Sequence, residues 1–170
     1  MRTRREGADE RGFTLVEILV VVVIIGILVS IAVPTFLSAR TQAQNKAVEK
    51  DLRNALTDAQ TLFIRNDYSF DTATIQHDLS STEPALTFAA TTATPSVTAQ
   101  SVMYYNATTN NICLAGLSAS GKILQMALVL DPAASSANKG TYFYIGSSAI
   151  ACPTASSSTG WSRSANSAGW

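Results

Sequence analysis

Gly12-Phe13-Thr14-Leu15-Val16-Glu17 leads without a break into the apolar run Ile18 to Val33, and this stretch decides the fold. Uncharged residues continue to Ala39, about 22 positions, which at 1.5 Å per residue extend roughly 33 Å, close to the ~30 Å hydrocarbon core of a bilayer. The segment is therefore long enough to cross a membrane once as a helix. Val and Ile are weak helix formers in water, but in lipid the backbone must satisfy its own hydrogen bonds, so the run is expected to be helical. Pro34 cannot donate to the carbonyl of Ser30 and is expected to loosen the helix there, while Gly26 adds flexibility and a small surface for close helix approach. Gly and Pro are also simply commoner in spanning helices, and the residues alone leave both readings open.

Ahead of the run, Met1 to Gly12 carries Arg2, Arg4, Arg5 and Arg11 against Glu6, Asp9 and Glu10, an excess of positive charge that favours a cytoplasmic N-terminus. A secretory signal has its small-residue cleavage site after the apolar segment, whereas the clear small-residue junction here, Arg11-Gly12-Phe13, precedes it. Cleavage at that point leaves the helix attached to the mature chain. Glu17 is the only charge between Arg11 and Arg40. A carboxylate within a spanning segment is by default a functional candidate, although a place near the helix N-terminus also relieves it through the macrodipole and headgroup water.

With these residues the stretch from about Arg11 to Leu37 resembles the class III signal of type IV pilins and type II secretion pseudopilins. The resemblance implies that a prepilin peptidase cuts after Gly12 and methylates the new amine of Phe13. It further implies that this amine, from the same or a neighbouring subunit, neutralises Glu17 during assembly, and that the helix between Gly26 and Pro34 partly unwinds in filaments. The implied partners are other pilin subunits in a homopolymer, the peptidase, an inner assembly platform with ATPase-driven machinery, and the bilayer before assembly. The implied location is a single-pass membrane protein with a cytoplasmic N-terminus and an exterior head, then an extracellular filament.

The rest of the chain fits a modest head. Of 170 residues, 46% are hydrophobic, much of that in the N-terminal run, and only 14% are charged with zero net charge, which leaves no basic field for nucleic acid. Beyond Ser38 the helical pattern turns amphipathic: Ala43, Ala47, Val48, Leu52, Ala55, Leu56, Ala59, Leu62 and Phe63 recur at spacings of three and four. Lys46, Glu49, Lys50, Arg53, Asp58 and Arg65 are expected on the opposite face, with Glu49 and Arg53 as a supporting i,i+4 pair. One helix from Phe13 to about Arg65 follows, roughly 80 Å long.

Asn66-Asp67-Tyr68-Ser69 is expected to end it. The segment to about Gln100 lacks a sustained period and reads as a long surface connection with a short helix near Thr72 to Leu79. Four β-like runs follow, Ser101 to Asn106, Asn111 to Leu117, Lys122 to Leu130 and Thr141 to Ile145, and the short connections among the first three favour an antiparallel meander packed on the Leu52, Leu56, Leu62 and Phe63 stripe. Cys113 and Cys152, an even pair on the translocated side, suggest one disulfide closing a loop of about 40 residues, against the alternative of two buried thiols. The Ser/Thr-rich tail holds Trp161 and Trp170, which either dock on the head or contact a neighbour. Asn106-Ala107-Thr108 matches a glycosylation sequon by composition alone.

The chain has one histidine, His77, beside Asp78, with no metal-ligand spacing and no Gly-rich phosphate loop. No catalytic residue, cofactor or metal is expected, and the chain does not read as an enzyme. The expected architecture is α+β and pilin-like, with a long N-terminal helix against a small antiparallel sheet. Its parts are a leader, 1–12; a membrane and assembly half-helix, 13–40; an amphipathic half-helix, 41–65; a connection, 66–100; a sheet, 101–152; and a tail, 153–170. The expected role is the structural subunit of a type IV pilus-like filament. The alternatives are a type II secretion pseudopilin, or a minor pilin acting as a tip adhesin or DNA-uptake module.

Overall fold

A computed structural model of the chain describes residues 12–70, 73–92, 94–100, 102–136, 138–154 and 156–164. Helix α1 runs unbroken from Leu15 to Arg65, through both Gly26 and Pro34. Hydroxyls near the proline bond back onto the helix: Ser30 Oγ donates to the Ile27 carbonyl at 2.7 Å, and Thr35 Oγ1 to the Ala32 carbonyl at 2.8 Å. The chain divides into two compact units between Arg40 and Thr41. In the first, the apolar side chains of α1 are exposed throughout.

The second unit has a closed core. Leu52, Ala55, Leu56, Ala59, Leu62 and Phe63 of α1 are buried at helical spacing, and the two alanines leave room for close packing. They lie in one core with Ile112, Leu114, Leu124, Met126 and Leu128 of a five-stranded sheet. Its strands are β1 (Thr87–Ala90), β2 (Val102–Thr108), β3 (Asn111–Leu117), β4 (Ile123–Val129) and β5 (Gly140–Gly146), in spatial order β1-β2-β3-β4-β5. Strands β2 to β4 form the expected antiparallel meander and β5 extends it antiparallel to β4, with Cys113 opposite Ala127 and Met126 opposite Phe143. The turn between β3 and β4 uses Gly121 at φ 82°, and Ser120 Oγ donates to Asn45 Oδ1 at 2.6 Å, tying that turn to α1.

Three features differ from expectation. The sheet is mixed, because β1, within the segment expected to be a surface connection, pairs parallel with β2. That segment is not peripheral either: Phe70, Phe88, and Ile75 and Leu79 of helix α2 (Ile75–Thr82) are all buried. Burial follows from the end of α1, where Asp67 and Tyr68 take left-handed backbone, φ 52° and 60°, and Phe70 folds back against Phe63 at 4.9 Å between ring centroids. Finally, Glu49 is buried rather than on an open polar face. Burial pushes its carboxyl up, but hydrogen bonds and charge from Lys46 at 2.7 Å and Arg53 at 2.9 Å outweigh this and hold it below its ordinary value.

Both faces of β4 are covered. Leu124, Met126 and Leu128 face the helix, while Gln125, Ala127 and Val129 alternate onto the other side, where Ile150, Cys152 and Trp161 lie against the sheet. Cys113 and Cys152 form the expected disulfide, Cα to Cα 5.8 Å. Trp161 docks on the head: it packs on Tyr142 and Tyr144 at 6.5 and 6.2 Å between centroids, and its indole N–H donates to the Ala151 carbonyl at 2.8 Å. Trp170, Ser101, Thr72 and the leader up to Arg11 lie outside the described residues.

Candidate functional site

Thr14 sits immediately before the first helical residue, in the position whose side chain can satisfy the open N–H groups of the first turn. Its Oγ1 accepts from the Glu17 backbone N–H at 3.2 Å. In return Glu17 Oε2 accepts from the Thr14 backbone N–H at 2.9 Å and from Thr14 Oγ1 at 2.9 Å. These reciprocal bonds make a capping box, the Thr-x-x-Glu spacing that closes a helix N-terminus. The carboxylate is thereby held at the N-terminal end of α1, against Thr14. This partnership is legible in the spacing of Thr14 and Glu17, although the reading of Glu17 as a lone charge in search of a cation passes over it.

Gly12 and Phe13 precede the helix in irregular backbone, and Phe13 is 82% exposed. A Cβ added at Gly12 or at Gly26 would meet nothing within 4 Å in the single chain. Behind the capping box, Leu15, Leu19, Val22, Leu28 and Phe36 are among the apolar side chains open to the surroundings. By length and composition α1 can cross a membrane.

A family model described as the prokaryotic N-terminal methylation motif matches residues 8–33. No curated protein and no solved structure matches the chain. The chain carries the class III signal of a type IV pilin-like protein. The matched residues take in the Gly12-Phe13 junction, the capping box and Gly26, and stop just short of Pro34. The α+β architecture of a long helix with its second half packed on a sheet agrees with that assignment, and the long apolar helix fits a membrane-anchored protein.

The motif points to a structural pilin-type protein rather than a catalyst. His77 lies on α2 with its side chain 88% exposed, and its Nδ1 is 3.8 Å from Asp78 Oδ1. Asp78 also takes the Thr74 hydroxyl at 3.2 Å and stands 3.9 Å from Arg65. Among the described residues no three His, Cys, Asp or Glu side chains gather in a group able to hold a metal ion. Of the residues marked in the sequence, Gly12 and Phe13 lie just before α1 and Glu17 in its first turn, Gly26 and Pro34 lie within it, and Cys113 and Cys152 join in the head.

Proposed function

We propose that the chain is the structural subunit of a type IV pilus-like filament. On this reading the leader, 1–12, is removed by a prepilin peptidase after Gly12, and Phe13 becomes the methylated first residue. The segment 13–40 anchors the subunit in the membrane with the head outside, and then forms the filament core with other copies of the chain. The observation that carries it is the contrast within one chain: a head with a closed core, and a first half of α1, up to Arg40, whose apolar side chains are all open. Such a surface must be covered, first by lipid and then by neighbouring helices. On this reading Glu17 would neutralise the new amine of Phe13, and its capping bonds to Thr14, the residue after Phe13, support that role. Gly26 and Pro34 would let the segment between them extend in the polymer, and the assembly platform and its ATPase would draw the subunit from the membrane.

N-terminal sequencing with mass spectrometry of sheared surface filaments tests the proposal. The expected mature N-terminus is methylated Phe13. A terminus beyond Val33, or filaments that never contain the chain, defeats it. Filaments confined to the cell envelope under secreting conditions identify a pseudopilin, and a chain found only in trace amounts beside another major subunit identifies a minor pilin. Glu17→Ala is expected to insert normally and to abolish or strongly reduce polymer.

A further inference from the structure

Gln125 is a fully buried amide in the middle of β4, on the sheet face turned away from α1. Its Nε2 donates to the Ile150 carbonyl at 3.0 Å, and its Oε1 accepts the Ile150 N–H at 2.8 Å. The side chain thus does for Ile150 what a neighbouring strand would do, satisfying both backbone groups of one residue at once. Ile150 stands two residues before Cys152. On the sheet, Ala127 stands two residues after Gln125 and lies directly opposite Cys113. The two attachments, Gln125 to Ile150 and Cys113 to Cys152, are therefore successive rungs between the sheet and the segment crossing it. Trp161 adds a third hold, a non-covalent one, at Ala151, between them in sequence.

We propose that Gln125 is the positioning residue for the disulfide: its amide docks Ile150 while both cysteines are still thiols, and so delivers Cys152 to Cys113. Cys152 is the more exposed of the two and Cys113 is 2% exposed. With glutathione disulfide as oxidant, the Cys152 thiolate attacks one glutathione sulfur, forming a mixed disulfide and releasing one glutathione thiolate. The Cys113 thiolate then attacks the Cys152 sulfur, closing the protein disulfide and releasing the second. Two protein thiols have lost two protons and two electrons, and glutathione disulfide has become two thiols. Docking acts on the second, intramolecular step by raising the effective concentration of one sulfur at the other.

Two measurements on the full-length chain in detergent test this. In the Cys113→Ala/Cys152→Ala chain, the Ile150 amide should remain protected from hydrogen exchange, because docking precedes and does not need the disulfide. In Gln125→Met, which keeps the volume and loses both bonds, the thiol–disulfide equilibrium in a glutathione buffer should shift roughly tenfold toward thiols, as expected for two lost hydrogen bonds to a buried backbone. An unprotected Ile150 amide in the cysteine-free chain overturns the proposal. So does an unchanged equilibrium in Gln125→Met while the β4 amides stay protected. If Gln125→Met unfolds β4, the cysteine-free chain with its native Gln125 still decides the question.

Discussion

Gly116→Ala probes a close approach of helix to sheet. Gly116 lies on β3 opposite Met103, and a Cβ there would stand 2.8 Å from Val48 Cγ1, with Met103 Sδ next at 3.6 Å. The methionine contact is ordinary, whereas two carbons at the shorter distance are well inside their optimum of about 3.5–4.0 Å. Val48 has no easy escape, because a β-branched side chain in a helix has essentially one χ1 well. Either α1 or β3 must shift, and overpacking of this kind costs about 1–3 kcal/mol. The opposing gain is the stiffer unfolded chain, about 0.4–1 kcal/mol, available because the Gly116 backbone is one that alanine adopts. The clash wins by about 1–2 kcal/mol, which in a chain of this length lowers the melting temperature by roughly 2–8 °C. Thermal melts of the full-length chain in detergent, followed by near-ultraviolet circular dichroism, read this directly. Val48→Ala supplies the control: in that background the same Gly116→Ala change should become neutral or slightly stabilising. Equal losses in both backgrounds, or no loss beside native Val48, would refute the argument.

Asp58 offers a test by pH. Its Oδ2 is buried with no hydrogen-bond partner among the described residues, and burial, then the charge of Glu83, raises its carboxyl above the ordinary value. The folded chain therefore holds the proton more tightly than the unfolded chain, so this group makes stability rise as pH falls through the folded-state value toward the usual Asp range. Asp58→Asn, which removes the charge and leaves a neutral amide of the same shape, should raise stability at neutral pH, and the gain should vanish below about pH 4 in melts across a pH series. Thr14→Ala removes the hydroxyl from the capping box while leaving the Thr14 N–H on Glu17. The yield of sheared filaments should fall several-fold, less than for Glu17→Ala, with Thr14→Ser restoring it and membrane insertion unchanged. Asp67→Gly should raise the melting temperature by a few degrees, since Asp67 sits at φ 52°, where a non-glycine residue is strained by about 1 kcal/mol.

What the sequence makes legible here is what rests on local period. The Leu52 to Phe63 stripe, the mostly apolar run of β4, broken only by Gln125, and the short turns of the meander all announce themselves within a few residues, and β3 occupies the span its pattern gives. Strand β1 does not. It is four residues with only Phe88 buried, and its place is set by β2 and by Gln76 of α2, whose amide donates to the Phe88 carbonyl at 2.9 Å. No alternation can encode a strand held by partners so far along the chain. The C-terminal segment has the same difficulty. Its Ser and Thr content reads as loop, while its order comes from Gln125, Cys113 and the Tyr142–Tyr144 surface. At the N-terminus the failure is of another kind, for Thr14 and Glu17 do carry the capping spacing, and the prominence of one charge in an apolar run hides it.

The head's edges bear on how such a subunit associates. An open strand edge invites pairing with another chain. Here Gln76 occupies the Phe88 carbonyl on β1, and on β5 both the N–H and the carbonyl of Phe143 are taken by Ser162, at 2.7 and 3.0 Å. Each edge thus carries a plug made from the same chain. Among the described residues from Thr41 onward, Ile64 and Tyr68 are the large hydrophobic side chains that stand exposed, so the extensive apolar surface is that of the N-terminal helix. Lipid tails cover that helix as well as neighbouring helices do, so the hydrophobic effect alone gives no preference between membrane and bundle and no register along the bundle. On the proposed reading both must come from packing and from polar groups, and Glu17 is the one charged side chain between Gly12 and Arg40. A single carboxylate with a fixed orientation, in a helix that is otherwise interchangeable along its length, is sufficient to distinguish one axial position of a neighbour from the next.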